Sequence, residues 1–343
     1  SRNFKEGIRG GEVAMKVLVT GGAGFIGSIL CDTLLQKGYE VICLDKLYFG
    51  DIGIRNLIGE RGFKLVKEDT RRFDPNVLDS VDVVVDLAAI GQPDPGKKLK
   101  PELFMEMNYR GPVRVANLSK KHGVGKYFFA STCSVYGAQP QLVNESSPPN
   151  PLEEYARTKS MAEKEIKPLS SKDFCVTIFR FATAYGLSPK MRFDLVVNGM
   201  TLALWKYNKI MVMRPGTQKR PVVHVRDIVK ALSLAIEADE ELINGEIFNV
   251  GSNDQNYGIY DLAKRIGDAS GRAYKLEWYG EPDKRTYMVD FSKINKVLNF
   301  KVDYHPEDAV KEILKALDEG VINDAPYTRV IAWWEHLQSR GEV

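Results

Sequence analysis

The feature that most constrains the fold is a glycine-rich loop near the start of the chain. Residues 20–27 read TGGAGFIG and directly follow the β-branched apolar run KVLVT. Glycines at this spacing, between a predicted strand and a predicted helix, are typical of a loop that binds phosphates. Gly21 permits the tight turn, Gly24 lets the backbone approach a diphosphate, and Gly27 allows the helix to pack closely on the strand. The N-terminus of the following helix completes an anion site.

Short apolar runs alternate with longer helical patterns over the first half of the chain. Most of the runs are apolar on both faces, as expected for strands that helices cover on both sides. This alternation predicts a parallel, doubly wound sheet, so the fold class is α/β, of Rossmann type. Pro112 lies inside the second predicted helix and indicates a kink or a late start there. The predicted strands are residues 16–20, 40–45, 63–66, 81–86, 126–132 and 174–179, and the predicted helices are residues 25–37, 103–122 and 151–168.

The pattern becomes less regular after Phe181 and predicts a smaller α+β lobe over the carboxyl ends of the strands. Near the end, TRVIAWWEHL predicts an amphipathic helix whose Trp333 and Trp334 pack against the body of the protein. The helices predicted for the lobe are 192–208, a helix that starts at an N-terminal cap at Asp227, 259–270 and 306–319. The strands predicted for the lobe are 210–213, 220–225 and 246–250. We expect a tail (1–15), a dinucleotide-binding Rossmann domain (16–180, with later returns near 220–250) and a mainly substrate-binding lobe (181–343).

Asp45 stands at the end of the second predicted strand, 18 residues after Gly27. A carboxylate at this position accepts hydrogen bonds from the adenosine ribose of a dinucleotide and repels the additional phosphate of NADP, so the predicted cofactor is NAD. The alternative is a glycine-rich turn without a ligand, and the surrounding strand, helix and acidic residue argue against it. Asp69 follows the third strand, where it suits either contact with adenine or an ion pair with Arg71 or Arg72; both interpretations stay open.

A second group of polar residues follows the fifth predicted strand, where FFASTCSVYG (128–137) ends an apolar run in hydroxyls and a thiol. Tyr155 and Lys159 lie four residues apart on a helix that Asn150 is predicted to cap and Pro151 to start, so both side chains share one face. The ammonium, together with an oxidised nicotinamide, would lower the phenol pKa from its ordinary ~10, so that a tyrosinate could take a proton from an alcohol. Taken alone, Tyr155 and Lys159 would be interpreted as two exposed side chains on a helix, without a catalytic role. The glycine loop and the hydroxyl-ended strand favour catalysis.

These motifs resemble the extended short-chain dehydrogenase/reductases, in the nucleotide-sugar epimerase and dehydratase branch. The resemblance rests on TGGAGFIG, Asp45, LAA (87–89), Asn108, STCSVYG and YARTK, and covers residues 16 to 320 in order and spacing. It implies that Thr132, Tyr155 and Lys159 are catalytic, with Thr132 bonded to the reacting sugar hydroxyl and Lys159 also to the nicotinamide ribose. The cofactor contacts that it implies are Gly21, Gly24, Phe25, Ile26, Gly27, Asp45, Asp69, Thr70, Leu87, Ala88, Ala89, Asn108, Tyr155 and Lys159. The implied substrate contacts are Thr132, Asn198, Arg220 and Arg285, and no metal is expected.

The residues after Thr132 distinguish the reactions of this branch. Its sugar 4,6-dehydratases carry an Asp-Glu pair there, whereas this chain has Cys133 and Ser134. Its epimerase-reductases carry a cysteine where Ser134 stands, and Cys133 would face the opposite side of a strand. By elimination, the resemblance favours 4-epimerisation of a UDP-hexose through a transient 4-keto sugar. The alternatives are a related dehydratase, reductase or dehydrogenase and, more remotely, a non-enzymatic NAD-sensing regulator, since fold alone does not determine function.

The chain departs from the branch at one nucleotide-binding residue. KRPVVHVRD (219–227) matches the expected pattern and makes Arg220 an expected ligand of the nucleotide diphosphate. Gly280, however, stands where an arginine is usual in the C-terminal lobe. Arg285 or Lys284 is expected to take the place of that arginine.

Composition bears on partners and compartment. The net charge of +3 over 343 residues favours neither nucleic acid nor a membrane surface as a partner. No apolar stretch approaches the roughly 18 residues that span a bilayer. The four cysteines are scattered without a CxxC pair, which predicts reduced thiols and a cytoplasmic protein. The resemblance implies a homodimer, in which helices 103–122 and 151–168 of two copies form a four-helix bundle.

Overall fold

The computed structural model describes residues 14–91 and 99–343. The strands among these residues are β1 (Lys16–Thr20), β2 (Glu40–Leu44), β3 (Phe63–Val66), β4 (Val83–Asp86), β5 (Lys126–Thr132), β6 (Leu142–Val143), β7 (Cys175–Phe181), β8 (Thr183–Tyr185), β9 (Lys209–Met213), β10 (Lys219–His224), β11 (Glu246–Val250), β12 (Asn256–Gly258), β13 (Lys275–Tyr279) and β14 (Met288–Val289). The α-helices are α1 (Gly27–Gln36), α2 (Pro101–Phe104), α3 (Gly111–Lys121), α4 (Glu154–Ile166), α5 (Val196–Tyr207), α6 (Val225–Glu237), α7 (Glu240–Ile243), α8 (Ile259–Ala269), α9 (Ser292–Leu298), α10 (Pro306–Asp318) and α11 (Val330–Ser339). Short 3₁₀ turns span Pro75–Leu78, Cys133–Tyr136, Lys167–Leu169, Asn253–Gln255 and Pro326–Thr328.

The predicted parallel, doubly wound sheet is confirmed. Across the described residues, seven strands pair in the order β11-β7-β5-β4-β1-β2-β3, and every neighbouring pair is parallel. The strand order reverses between β1 and β4, and ligands of such sheets bind in the crevice beyond the carboxyl ends of the strands at that point. β4 and β7 are buried along their whole length, because helices cover both faces of the sheet.

The later part of the chain adds small sheets and returns one strand to the main sheet. β11 pairs with β7 at the edge of the main sheet. β12, β10 and β8 form a three-stranded sheet, and β13 with β9 and β14 with β6 form two pairs. A second hydrophobic cluster joins α5, α8 and α10. α11 packs on α2 instead, and the prediction that its tryptophans pack on the body is confirmed for Trp334, which is 2% exposed.

The helix that carries Tyr155 starts later than predicted. α4 begins at Glu154, and Glu153 precedes it without capping through its side chain, so the prediction of an Asn150 cap and a start at Pro151 is wrong. The backbone N–H of Asn150 donates instead to the Val135 carbonyl (2.9 Å), which ties this segment to the turn after β5. The helix therefore starts only after the chain has left that contact.

The cap predicted at Asp227 is also wrong. α6 begins two residues earlier, where the His224 side chain accepts a hydrogen bond from the backbone N–H of Arg226 (3.2 Å). The Asp227 carboxylate accepts from the N–H of Asp303 (2.9 Å), which belongs to the loop before α10. The Asp227 side chain, which the local sequence pattern predicted to cap the helix, therefore makes a long-range hydrogen bond instead.

The predicted irregularity at Pro112 is confirmed. Residues Met105–Arg110 form a π-helical turn between α2 and α3, closed by a hydrogen bond from the Gly111 N–H to the Glu106 carbonyl. Pro112 has no N–H to continue the preceding ladder, so the helix restarts at Gly111. The turn brings Met107 to the edge of the crevice at the sheet.

Two findings concern the class of protein. Among residues 14–91 and 99–343, no helix is long and apolar enough to cross a membrane. The four cysteines are buried and free, without a disulfide.

Candidate active site

Two cavities adjoin along the carboxyl ends of the strands. The glycine-loop cavity is lined by the residues that follow β1, β2, β3 and β4, by the end of β5 and by α4. The arginine-lined cavity lies between the turn after β5, the start of α5 and the segment after β13. Arg192 lines both cavities, so the two are neighbours.

The glycine loop has the geometry of a phosphate cradle. Gly21 has a φ of +64°, and the N–H of Gly24 donates to the Gly21 carbonyl (3.0 Å). A Cβ at Gly27 would lie 2.3 Å from that same carbonyl oxygen, so only glycine fits between helix and strand. The three glycines, with Phe25 and Ile26, line the cavity in front of α1. A backbone that can approach this closely fits a dinucleotide diphosphate.

Asp45 lies at the wall of the same cavity, after β2. Its carboxylate accepts hydrogen bonds from the N–H groups of Ala23 (3.0 Å) and Leu47 (2.7 Å). Burial raises the pKa of Asp45, while these two hydrogen bonds act in the opposite direction. The backbone thus holds the carboxylate in one orientation, as a group that selects a ribose requires.

Of the two interpretations of Asp69, the structure shows the ion pair with Arg71, and contact with adenine stays a prediction. Asp69 pairs with Arg71 (2.6 Å) and accepts from the Tyr48 hydroxyl (3.1 Å). Burial alone would raise the pKa of Asp69, but the hydrogen bonds from Arg71 hold it below its ordinary value. Asp69 and Thr70 also line the glycine-loop cavity, so Asp69 borders this cavity while it is paired with Arg71.

The segment after β4 supplies the opposite wall. Leu87, Ala88 and Ala89 line the cavity, and the Thr20 hydroxyl accepts hydrogen bonds from the N–H groups of Leu87 and Ala88 (3.1 Å each). Asn108, predicted to contact the cofactor, does not line the cavity. Its amide bonds both the N–H (2.8 Å) and the carbonyl (3.0 Å) of Ile90, because it lies behind this segment and fixes its path.

Tyr155 and Lys159 lie on the face of α4 that borders the glycine-loop cavity. The Lys159 ammonium donates to the Ala130 carbonyl (2.8 Å) and lies 4.7 Å from the centre of the Phe129 ring. Burial lowers the pKa of Lys159 to about 8, although the negative charges of Asp86 and Glu163 act to raise it. The lysine is therefore positioned by the end of β5.

Burial and two neighbouring groups act on the pKa of Tyr155. Burial raises the pKa of Tyr155, and the influences that lower it are the charge of Arg192 and a hydrogen bond with Thr132. The Lys159 ammonium itself donates to the Ala130 carbonyl of β5. Thr132 also accepts from the Ser134 N–H (3.1 Å), so its hydroxyl lies between the turn after β5 and α4.

A buried ion pair fixes α4 to the sheet. Glu163, two helical turns after Tyr155, pairs with Arg180 of β7 (2.6 Å) and accepts from the Ser131 hydroxyl (2.5 Å). Both charged side chains are at most 5% exposed. Since the pair joins α4, β5 and β7, the helix cannot shift along the sheet without breaking it.

The residues after Thr132 face different surroundings. Cys133 is fully buried, its thiol donates to the Arg180 carbonyl (3.2 Å), and burial raises its pKa well above the ordinary value. Ser134 lines the arginine-lined cavity, and its hydroxyl lies 3.4 Å from that of Tyr287. Cys133 therefore belongs to the core and Ser134 to the cavity.

Both predicted anion ligands line the arginine-lined cavity. Arg220 pairs with Asp283 (2.8 Å), and Arg285 pairs with the same carboxylate (2.9 Å) and with Glu153 (3.2 Å). Arg285 thus supplies a guanidinium beside Arg220, whereas Lys284 is exposed to solvent.

Asn198, predicted to bind substrate, lies outside both cavities. Its amide oxygen accepts from the Gly186 N–H (2.9 Å) and its amide nitrogen donates to the Arg192 carbonyl (3.0 Å). Asn198 is fully buried, and these hydrogen bonds fix the loop between β8 and α5. Through this loop it positions Arg192.

Sequence reasoning missed several residues that line the cavities, among them Lys190, Arg192, Tyr48 and Trp334. Lys190 and Arg192 come from the segment LSPKMRFD, where two basic residues between apolar ones were a usable signal. Lys190 is 2% exposed, and burial with the charge of Arg192 lowers its pKa to about 7. Tyr48 and Trp334 line the glycine-loop cavity from two distant parts of the chain. Among the described residues, no group of three His, Cys, Asp or Glu is placed to hold a metal ion.

Comparison with known proteins agrees with this geometry. The Bacillus subtilis protein YtcB, named an uncharacterized UDP-glucose epimerase, is 30% identical over 329 residues, covering 91% of this chain and 98% of its own. The crystal structure of UDP-glucuronic acid 4-epimerase from Bacillus cereus with UDP-glucuronic acid and NAD has a TM-score of 0.80 at 26% identity, covering 89% of this chain and 99% of its own. DesIV from Streptomyces venezuelae, a dTDP-glucose 4,6-dehydratase with NAD bound, has a TM-score of 0.76 at 25% identity over 89% and 97% of the two chains.

The two crystal structures both contain NAD, but one is named a 4-epimerase and the other a 4,6-dehydratase. A sequence model described as the NAD-dependent epimerase/dehydratase family matches residues 17–251. That range contains the glycine loop, the serine and threonine turn after β5, the Tyr155 helix and Arg220. The chain therefore belongs to the NAD-dependent epimerase/dehydratase family, which confirms both the predicted relationship and NAD as the cofactor.

Proposed function

We propose that this protein is a nucleotide-sugar 4-epimerase that acts on a UDP-hexose. The observation that carries the proposal is the state of the carboxylates in the arginine-lined cavity. Asp194, Asp283 and Glu153 line it, and each is paired with an arginine: with Arg192 (2.7 Å), with Arg220 (2.8 Å) and with Arg285 (3.2 Å). Elimination of water needs an acid and a base beside the sugar. The two residues after Thr132 are Cys133 and Ser134, so a buried thiol and a hydroxyl stand where a dehydratase would carry its acid and base.

The proposed chemistry uses one proton acceptor. Tyr155 takes the proton of the sugar 4-hydroxyl and later returns it, while Thr132 bonds the same oxygen. Lys159 holds a positive charge beneath the site and bonds the nicotinamide ribose. NAD, when bound, accepts a hydride from the sugar carbon and gives it back. Burial raises the pKa of Tyr155, and the charge of Arg192 acts against burial, toward the deprotonated form that the first step needs.

Epimerisation also requires the sugar to turn over between the two hydride steps. The nucleotide diphosphate must stay in place meanwhile, and Arg220 and Arg285 are the proposed anchors. Arg220 is held by Asp283 and by the carbonyls of Lys219 and Arg285, so it presents a fixed guanidinium. The buried Oε1 of Gln218, which has no donor among the described residues, offers a further acceptor to a polar ligand in this cavity.

The proposal is tested by product analysis. Purified enzyme is incubated separately with UDP-glucose, UDP-glucuronate and UDP-N-acetylglucosamine, the products are separated by chromatography, and absorbance at 340 nm follows the cofactor. UDP-glucuronate belongs in the set because Arg192 adjoins the site of Tyr155 and could pair with a sugar carboxylate. We expect one substrate to give its 4-epimer without net reduction of NAD. Stoichiometric reduction of NAD would identify a dehydrogenase instead.

A dehydratase is the second candidate, and one observation favours it. Burial raises the pKa of Glu153, which borders the arginine-lined cavity, so that carboxyl could act as an acid. The nearby charge of Arg285 opposes this by favouring the carboxylate. A product lighter by one water, lost in a Glu153→Gln variant, would establish the dehydratase.

We expect Asp45→Ala to narrow the preference for NAD over NADP. The substitution removes the carboxylate that would bond the adenosine ribose, and with it the repulsion of the 2′-phosphate. Titration of cofactor-free enzyme with each dinucleotide measures the two dissociation constants. Asp32→Ala is the control, because Asp32 lines neither cavity and accepts a hydrogen bond from Gln36 (2.9 Å) one turn later in α1. Wild-type enzyme that binds NADP more tightly than NAD would refute the role of Asp45.

We also propose that two copies associate through α3 and α4, as the resemblance implies. Tyr155 and Lys159 face the cavity, while Arg157 and Lys164 lie on the exposed side of α4. A closed symmetric dimer would bury this side against the same side of a second copy. Light scattering at micromolar concentration is expected to give twice the mass of one chain. A mass equal to one chain under these conditions would contradict the proposal.

A further inference from the structure

We propose that α11 is a cover over the bound NAD and that the indole N–H of Trp334 donates a hydrogen bond to the cofactor. Trp334 and Val330 line the glycine-loop cavity, although they follow the glycine loop by more than 300 residues. The inference requires only that the chain binds NAD, and it stands whichever sugar reaction the enzyme catalyses.

Helix α11 packs against the loop after β2. The Trp334 ring lies 5.1 Å from the Tyr48 ring and 5.7 Å from the Phe49 ring, measured between centroids. Both rings belong to the loop that follows Asp45 and both line the cavity. The neighbouring Trp333 donates its Nε1–H to the Tyr48 carbonyl (2.7 Å), which fastens α11 to the same loop. Together these contacts join α11 to the wall that carries Asp45.

The Trp334 N–H has no hydrogen-bond partner among residues 14–91 and 99–343. Its Nε1 is buried, and no acceptor lies within hydrogen-bond distance among the described residues. Leaving such a donor unpaired costs about 1–3 kcal/mol, so buried indole N–H groups normally find an acceptor. Trp333 donates to Tyr48, and Trp205 donates to the Asp318 carboxylate (2.8 Å). Trp334 is the exception in this comparison, and it is the one of the three that lines the cofactor cavity.

NAD carries the acceptors that this donor needs. A dinucleotide presents diphosphate oxygens, ribose hydroxyls and adenine nitrogens along the cavity that the glycine loop and Asp45 border. A hydrogen bond from Trp334 to one of these atoms would form only when the cofactor is present. It would therefore slow the release of NAD, which an enzyme that reduces and reoxidises the same cofactor must retain between the two steps.

The experiment measures how fast NAD leaves the protein. Trp334→Phe keeps an aromatic ring on α11 and removes the N–H, and Trp205→Phe removes a paired indole N–H that lines neither cavity. Each purified variant is diluted into an NAD scavenger, and the NAD that remains bound is determined by chromatography over time. We expect Trp334→Phe to release NAD about tenfold faster than wild type, since a hydrogen bond of ordinary strength corresponds to roughly that factor. Trp205→Phe should match wild type.

A second measurement covers the case in which the Trp334→Phe variant folds poorly. Amide hydrogen exchange of the wild-type enzyme, with and without NAD, reports directly on the cover. We expect NAD to slow exchange in α11, while exchange in α8 stays unchanged because α8 lines the arginine-lined cavity only. Release of NAD from Trp334→Phe within twofold of wild type, or exchange in α11 that NAD does not alter, would overturn the proposal.

Discussion

Replacing Tyr155 with phenylalanine is expected to lower turnover by about 10²–10⁴ while NAD stays bound. The substitution removes the proposed proton acceptor and keeps the ring, so the packing of α4 against the cavity is preserved. Tyr155 has a pKa raised by burial, and Arg192 and Thr132 act to lower it. Activity that depends on deprotonated Tyr155 should therefore rise with pH, and this rise should be lost in the variant.

The measurement is the rate of 4-epimer formation at several pH values, with the NAD content of each preparation determined separately. Tyr274→Phe is the matched control, since it removes a phenol that bonds Asp268 (2.8 Å) and lines neither cavity. Thr132→Val should lose less activity than Tyr155→Phe, because Thr132 only helps to polarise the same oxygen. Near-normal turnover of Tyr155→Phe would remove Tyr155 from the mechanism.

Alanine at two glycines of the phosphate loop should abolish NAD binding in two different ways. A Cβ at Gly27 would lie 2.3 Å from the Gly21 carbonyl oxygen and 2.6 Å from the Gly22 Cα, and neither backbone atom can move aside. Gly27→Ala is expected to lower the free energy of unfolding by about 3 kcal/mol or more and to lose the cofactor. A Cβ at Gly24 would meet only the Gly21 oxygen, at 3.1 Å. Gly24→Ala should therefore fold normally and still lose NAD, because the methyl group occupies the approach of the diphosphate.

Chemical denaturation gives the stability of each variant without cofactor, and calorimetric titration gives its affinity for NAD. The two variants control for each other, since one is expected to lose stability together with binding and the other to lose binding alone. If Gly24→Ala bound NAD as tightly as wild type, the loop would not be the diphosphate site.

The features that could be predicted from sequence are those whose cause is local. The glycine loop works through backbone dihedrals and close approach, and Asp45 works through its place at a strand end, so short patterns are sufficient. The alternation of apolar runs and helical patterns likewise predicted the parallel sheet. These interactions involve residues near one another in the chain or strands of one regular sheet.

Predictions failed where a distant contact decided the outcome. Asn150 and Asp227 are of residue types that often cap helices. In the structure, however, Asn150 bonds Val135 and Asp227 bonds Asp303, and neither caps its helix. Ligand contacts of Asn108 and Asn198 stay predictions, and in the structure their amides bond the backbone of cavity segments. A buried amide that serves a loop and one that serves a ligand look the same in a sequence.

The cavity walls that sequence reasoning missed come from far along the chain. Lys190 and Arg192 approach the glycine loop only because the segment between β8 and α5 folds back over the sheet. Trp334 approaches it only because α11 packs on α2. Periodicity placed α11 as an amphipathic helix, but it carries no information about which cavity such a helix will cover.

The distance in sequence between the glycine loop and Trp334 has a consequence for how the enzyme matures. A chain leaves the ribosome at about 5–20 residues per second, and its early parts fold first. The strands that hold the glycine loop are made within the first half of the chain, but the wall that includes Trp334 appears only after about 160 further residues, which takes roughly 8–30 seconds at that rate. During this interval the nascent protein has a phosphate loop without its complete enclosure. On the proposed role of Trp334, we expect full retention of the cofactor only late in synthesis, after the strands that hold the glycine loop have been made.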